Sequence, residues 1–151
     1  MIGFYGEFPS TMDAKGRFLL PAGVRKQLQE GEAGLFYINK GFEACLSLYP
    51  LKAWENVAEK MDDLDEFDAK RRKFLRVYLN GATPVEPDSA GRILVPSTHK
   101  EYAGLEKDIV VIGVGKKFEI WDSNKYKEIF ESLSPQEFSD LAQEVLGNKG
   151  K

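Results

Sequence analysis

The alternation of apolar and polar positions divides the chain into short elements that occur twice. "LFYIN" (35–39) and "CLSLY" (45–49) are apolar runs rich in aromatic and branched residues, joined by a turn at Gly41, and they predict a strand pair. "IVVIG" (109–113) and "FEIW" (118–121) repeat that arrangement around Gly115. A helix is predicted after each pair. Behind Pro50, "LKAWENVAEKM" sets Trp54, Val57, Ala58 and Met61 on one face; behind Asp122, a good N-cap, "SNKYKEIFESL" does so with Tyr126, Ile129, Phe130 and Leu133. A last helix opens at "SPQE", with Ser134 as N-cap, Pro135 at the first helical position and Glu137 completing a capping box. It carries Phe138, Leu141, Ala142 and Val145 on one face and ends at Gly147.

Ahead of each strand pair a second pattern recurs. A strand runs to Met12 or Glu86, a tight loop follows, and a further strand, "RFLL" or "RILV", leads to Pro21 or Pro96, which opens a short helix; the first of these helices carries Val24 and Leu28. The loops lie inside a repeated phrase, "DAKGRFLLP" at 13–21 and "DSAGRILVP" at 88–96. After the prolines the copies differ by three residues and then realign, Leu48, Tyr49 and Trp54 matching Ile120, Trp121 and Tyr126. The chain therefore reads as two copies of one unit: 1–61 with its closing helix and 83–133 with its own. A connecting helix over 62–82, with Phe67, Phe74, Leu75, Tyr78 and Leu79 on one stripe, joins them, and 134–151 form a C-terminal helix and tail.

The loops carry the candidate chemistry. Asp13 and Asp88 at the first turn position, with Gly16 and Gly91 three residues on, suit a type I turn whose glycine takes a positive φ, the usual build of a short hairpin loop. Arg17 and Arg92 follow those glycines, and Lys15 adds a cation to the first loop only, since Ala90 holds its place in the second. A planar guanidinium on a rigid loop can fork onto a phosphate or onto guanine O6 and N7. The same spacing equally serves an internal Asp13–Arg17 and Asp88–Arg92 brace, and spacing alone does not separate the two readings. The central run "KRRKFLR" (70–76), five of seven residues basic, also divides. Glu66–Lys70 and Asp68–Arg72 stand as i, i+4 pairs in the favourable order, which suits a solvated or interprotomer helix face and leaves Arg71 and Arg76 most free for a secondary DNA or interprotomer contact.

Composition narrows the classes. At 151 residues, 42% hydrophobic and 30% charged, the chain can bury a core. A net charge of −3 argues against a uniformly basic surface, so binding to a polyanion would need local patches. Cys45 is the only cysteine and lies in an apolar run, and His99 is the only histidine, expected at a surface or half-buried position; no metal and no cofactor are expected. No run of about 18 apolar residues offers a membrane span, and the amino terminus lacks the build of a secretion signal, so a cytoplasmic location is expected. The serines occupy turns and caps, "GVGKKFE" lacks the order of a phosphate-binding loop, and Asp62, Asp63 and Asp65 read as a solvated helix start. Enzyme activity is not expected.

"GEFPSTMDAKGRFLLPAGVR", "GFEACLSLYPLKAWE", "RRKFLRVYLNGA", "DSAGRILVPS" and "KKFEIWD" together resemble the MraZ family, bacterial transcriptional regulators of the SpoVT/AbrB-like group, over nearly the whole chain. The resemblance implies an α+β fold: two tandem swapped-hairpin AbrB-like β-barrel halves with flanking helices, assembled as a ring homo-oligomer. It implies a nucleoid-associated regulator whose partner is double-stranded DNA, at promoter direct repeats upstream of its own division and cell-wall operon. The contacts would come from Lys15, Arg17 and Arg92 on loops shaped by Asp13, Gly16, Asp88 and Gly91. Two unequal halves can join front to back into a ring, and linked copies on tandem sites about one helical turn apart would gain from effective concentration. The rival readings are an AbrB-type antitoxin, for which one domain with a polar tail is the expected form, and a purely structural ring.

Overall fold

The computed structural model describes residues 3–147. Both strand pairs form as the alternation predicts. Strand β3 (Phe36–Lys40) pairs with β4 (Leu46–Pro50), Ile38 opposite Leu48; β7 (Asp108–Gly113) pairs with β8 (Phe118–Asp122), Val110 opposite Trp121. The two hairpins meet side by side, β4 against β8 with Ser47 opposite Glu119. Each then receives an outer strand from the other half: β1 (Glu7–Thr11) lies on β7, and β5 (Thr83–Val85) lies on β3. The six-stranded antiparallel sheet runs β1-β7-β8-β4-β3-β5. Both edge strands contain a proline, Pro9 and Pro84, a residue with no N–H to offer a further strand.

The strands on either side of each loop do not form the hairpin expected of them. Strand β2 (Arg17–Leu19) forms no ladder with β1, being linked to the segment before it by the isolated Met12–Phe18 bridge, the Asp13 N–Arg17 O bond and a Ser10 Oγ–Leu19 O bond, and pairs instead with β6 (Arg92–Leu94) in a separate two-stranded ribbon, Phe18 opposite Ile93. The physical reason is burial. The ribbon lies under the sheet, where Phe18 and Ile93 are 1% and 0% exposed within the main core beside Phe36, Leu46, Phe118 and Ile120. The register has a further property. Phe18 and Ile93 are each other's counterparts in the repeated phrase, and Ser47 and Glu119 are counterparts in the strand pairs, so a pseudo-two-fold axis passes through both contacts.

Helices complete both faces. On the ribbon side, α1 (Ala22–Gln27) contributes Val24 and α4 (Ser97–Ala103) contributes Ala103 to the core. On the other side lie α2 (Leu51–Asp62), which buries Trp54, and α5 (Ser123–Glu131), whose Tyr126 packs on Trp121. Strand β4, covered from both sides, is buried at every position. Pro21, Pro50 and Pro96 each stand immediately before a helix, and Asp122 caps α5 by accepting from the Lys125 N–H at 3.4 Å. The capping box of α6 (Pro135–Gly147) forms in both directions: Glu137 N donates to Ser134 Oγ at 3.1 Å, and Ser134 N to Glu137 Oε1 at 3.3 Å.

The central helix is shorter than 62–82. After α2 the chain leaves helical geometry, and α3 (Ala69–Asn80) starts behind Asp68, whose carboxylate accepts from the Lys70 N–H at 3.1 Å and so competes with helix continuation. Phe67 therefore lies outside the helix and is 85% exposed rather than part of its stripe. The far end of α3 is tied down: Asn39 Nδ2 donates to Tyr78 O at 3.2 Å, and His99 Nε2–H donates to Gly81 O at 2.7 Å. His99, expected at or near the surface, is buried, because its ring secures a carbonyl that the helix end leaves without a partner.

Truncating Phe18 to Ala, which removes one side of the axial contact, is expected to destabilise the fold by about 3–5 kcal/mol in urea unfolding, the range for a buried aromatic.

Candidate nucleic-acid interface

Each loop is built around its aspartate. In the first, Gly16 N donates to Asp13 O (3.0 Å) and Asp13 N to Arg17 O (2.8 Å); Asp13 Oδ1 accepts from Lys15 N and Arg17 N, both 2.9 Å, and Oδ2 accepts from Arg17 Nε at 2.8 Å. The second loop repeats these five bonds on Asp88, Ala90, Gly91 and Arg92, each within 0.1 Å of its counterpart. Gly16 and Gly91 stand at φ +84° and +83°, where a side chain is strained. Each glycine carbonyl also accepts from the opposite half, Gly16 O from Val95 N and Gly91 O from Leu20 N.

These contacts hold the carboxyls below their ordinary value of 3.8. For Asp13 the largest cause is the Arg17 backbone N–H, followed on the lowering side by the Arg17 side chain; for Asp88 it is the Arg92 backbone N–H. A carboxyl lowered on folding stabilises the folded state fully above its unfolded value, and that contribution is lost as pH falls through the folded value. The braces are therefore intact at neutral pH.

The brace and an outward contact coexist in this geometry. Only Nε of each arginine is used by its aspartate, and the ion pairs keep the guanidinium planes fixed with side chains 27% and 37% exposed, leaving the Nη donors to be addressed. Since Phe18 and Ile93 point inward, strand alternation turns Arg17, Leu19, Arg92 and Leu94 to the outer face of the ribbon. Arg17 lies opposite Leu94 and Arg92 opposite Leu19, so the arginines form a diagonal whose Cα atoms are roughly 8 Å apart by strand geometry. Lys15 is exposed on the first loop. Leu19 and Leu94 lie over the glycine of the other half's loop, Leu19 Cδ1 being 3.5 Å from where a Cβ on Gly91 would stand.

One cation escaped the sequence reading. Arg25, on α1 of the first half, is exposed and brings its Nη1 within 3.9 Å of that same Gly91 position, beside the loop that lacks a counterpart of Lys15. Nothing in the spacing of the chain connects Arg25 with Gly91; the crossing of β2 and β6 does. On the central helix the pairing differs from the i, i+4 expectation: Asp68, turned to cap the helix, lies 3.6 Å from Arg71 Nε rather than beside Arg72, which donates to Glu66 O, so that of the two arginines expected free only Arg76 has no acid partner among the described residues.

One possible ligand group for a metal is present among the described residues: Glu43, Cys45 and Glu119 bring a thiol and two carboxylates within 4.8 Å. Burial, then the charges of Glu119 and Glu43, push the Cys45 thiol up to about 12, so it remains protonated at neutral pH, and Glu119 Oε1 already accepts from Trp121 Nε1. No helix among the described residues is long and apolar enough to cross a membrane.

Fold and loops define a duplicated antiparallel α+β protein whose halves share strands and present matched, aspartate-braced arginines on one ribbon. The profile of a family described as "MraZ protein, putative antitoxin-like" matches twice, over residues 4–77 and 78–149. Three curated relatives, each called Transcriptional regulator MraZ, align along nearly their whole length. The protein from Christiangramia forsetii is 38% identical over 149 residues, covering 98% of this chain and 96% of its own. Those from Cytophaga hutchinsonii and Acetivibrio thermocellus are 39% and 43% identical over 146 residues, covering 96% and 97% of this chain and 96% and 95% of their own. The chain belongs to the MraZ family. A solution structure of PHS018 from Pyrococcus horikoshii, 16% identical and covering 79% of this chain and 97% of that one, superposes with a TM-score of 0.34, too low to define a shared fold.

Carboxyl-detected NMR titration should place the midpoints of Asp13 and Asp88 below 3.8. Arg17→Ala should return Asp13 only part of the way, because the backbone N–H remains, and should leave Asp88 unmoved. Gly91→Ala should cost about 1–2 kcal/mol through its backbone alone.

Proposed function

We propose that this chain is a sequence-specific DNA-binding transcription regulator that reads promoter direct repeats upstream of its own operon. The observation that carries the reading is the doubled loop: five matching hydrogen bonds in each copy hold Arg17 and Arg92 outward on one ribbon. The relatives' shared name, Transcriptional regulator MraZ, supports the regulatory role. The units of work are the swapped-hairpin barrel halves, 1–61 and 83–133, linked by 62–82 and followed by 134–151, and copies assemble into a ring in the cytoplasm at the nucleoid.

The braces give this site its chemistry. An arginine held by its own aspartate loses less side-chain freedom on binding than a free one, which lowers the cost of docking on a phosphate or guanine edge. Lys15 supplies the added charge at the first loop, and Arg25 supplies it at the second, where Ala90 cannot. A single chain of net charge −3 binds DNA through these few cations only, so affinity comes from several linked copies on a row of sites. Toxin neutralisation is a second reading, favoured by the "antitoxin-like" wording of the family description; co-purification of a small toxic protein with unchanged affinity for all duplexes would support it.

Fluorescence anisotropy with a duplex from upstream of the gene, against a scrambled one, tests the reading. Arg17→Ala/Arg92→Ala should keep the native mass and lose roughly 10- to 100-fold per arginine in selective affinity. Arg25→Ala should weaken both duplexes alike and reduce the salt slope by about one contact. Equal binding of wild type to both duplexes would refute sequence-specific recognition.

A further inference from the structure

Of the three helices that bury no residue among those described, α3, α5 and α6, two stand out for their charge, α3 and α6. Their charges are of one sign each. Helix α3 carries five bases and no acid, whereas α6 carries Glu137, Asp140 and Glu144 and no base. Both also expose apolar surface: Phe138, Leu141 and Val145 follow one another at i, i+3 and i+7 on α6, while Phe74 and Val77 line α3. Phe42, 77% exposed, extends the α3 patch by stacking on Phe74 at 6.5 Å between ring centres. Contiguous exposed apolar surface with a charged rim marks a protein contact.

We propose that α6 of one copy docks on α3 of a neighbouring copy, apolar stripe on apolar stripe, with the acids of one helix facing the bases of the other. This rests on the assembly reading above and names its contact. Three observations select a second copy as the occupant. The charges are complementary, yet no α3–α6 ion pair forms within the chain among the described residues. The platform is fixed, since Asn39 and His99 hold the end of α3 to the body. Pro9 and Pro84 at the two sheet edges disfavour association by strand addition, which leaves helices as the surfaces for self-contact. The contact is heterologous, so it propagates from copy to copy and closes when the rotation permits.

Light scattering on two charge-reversed chains, with helicity followed by circular dichroism, tests the contact. Asp140→Lys/Glu144→Lys spares the capping-box Glu137; Lys73→Glu/Arg76→Glu spares Arg71 and Arg72, which bond to Asp68 and Glu66. Each should stay helical and fall from a multi-chain mass to the single-chain 17.0 kDa. An equimolar mixture should regain a multi-chain mass, and so should one chain carrying all four changes; that recovery excludes misfolding as the cause of the loss. An unchanged mass in either variant, or a mixture that stays at the single-chain mass, overturns the contact while leaving assembly standing. A wild type that itself runs at 17.0 kDa overturns both. Lost DNA affinity at unchanged mass would make α3 a phosphate-binding helix and overturns the contact as well.

Discussion

The ribbon of β2 and β6 is three residues long, yet most of the arrangement follows from it. Bringing Phe18 against Ile93 forces the first half to cross the second, and once they cross, β1 falls on the second hairpin and β5 on the first. The crossing also orients the candidate site. With Phe18 and Ile93 inward, strand alternation leaves the arginines no face but the outer one, and it sets each leucine over the other half's glycine. The hydrophobic contact and the polar surface are two sides of one pairing.

The features legible in the sequence were local. Asp13 and Gly16 specify their turn within four residues, Ser134 and Glu137 their cap within three, and each strand hairpin its turn glycine, so each could be read without knowing the rest of the chain. Partners across the repeat were not legible, because the phrase that builds the loop is silent on which strand lies beside it. Turn chemistry alone favours a hairpin across Thr11 and Arg17, and burial of Phe18 against Ile93 overrides it. The end of α2 and the cap at Asp68 show a different limit. An apolar stripe through Phe67 and Phe74 was visible, but a side chain accepting a bond from Lys70 N outweighed it.

The candidate site shows the same division. Arg17 and Arg92 are legible as candidates because they follow a glycine in a repeated phrase, and the structure adds that bracing and outward presentation do not compete, since one nitrogen serves the aspartate. Arg25 had no such signal. It reaches Gly91 only through the crossing, from a helix belonging to the other copy of the repeat. Its own counterpart across the repeat is Lys100, so both copies carry a base at this helix position, while only the first carries one within the loop.

Strand sharing also affects how the chain is made. Thr11 finds its partner at Asp108, 97 residues later, so β1 emerges from the ribosome with nothing to pair with. At ordinary rates of synthesis that wait lasts roughly 5 to 20 s. During it the strand is a free edge in a crowded polysome, beside identical strands of neighbouring nascent chains. Pro9, in the middle of that strand, removes one donor from any premature ladder, so the residue that ends the finished sheet also guards the unfinished one.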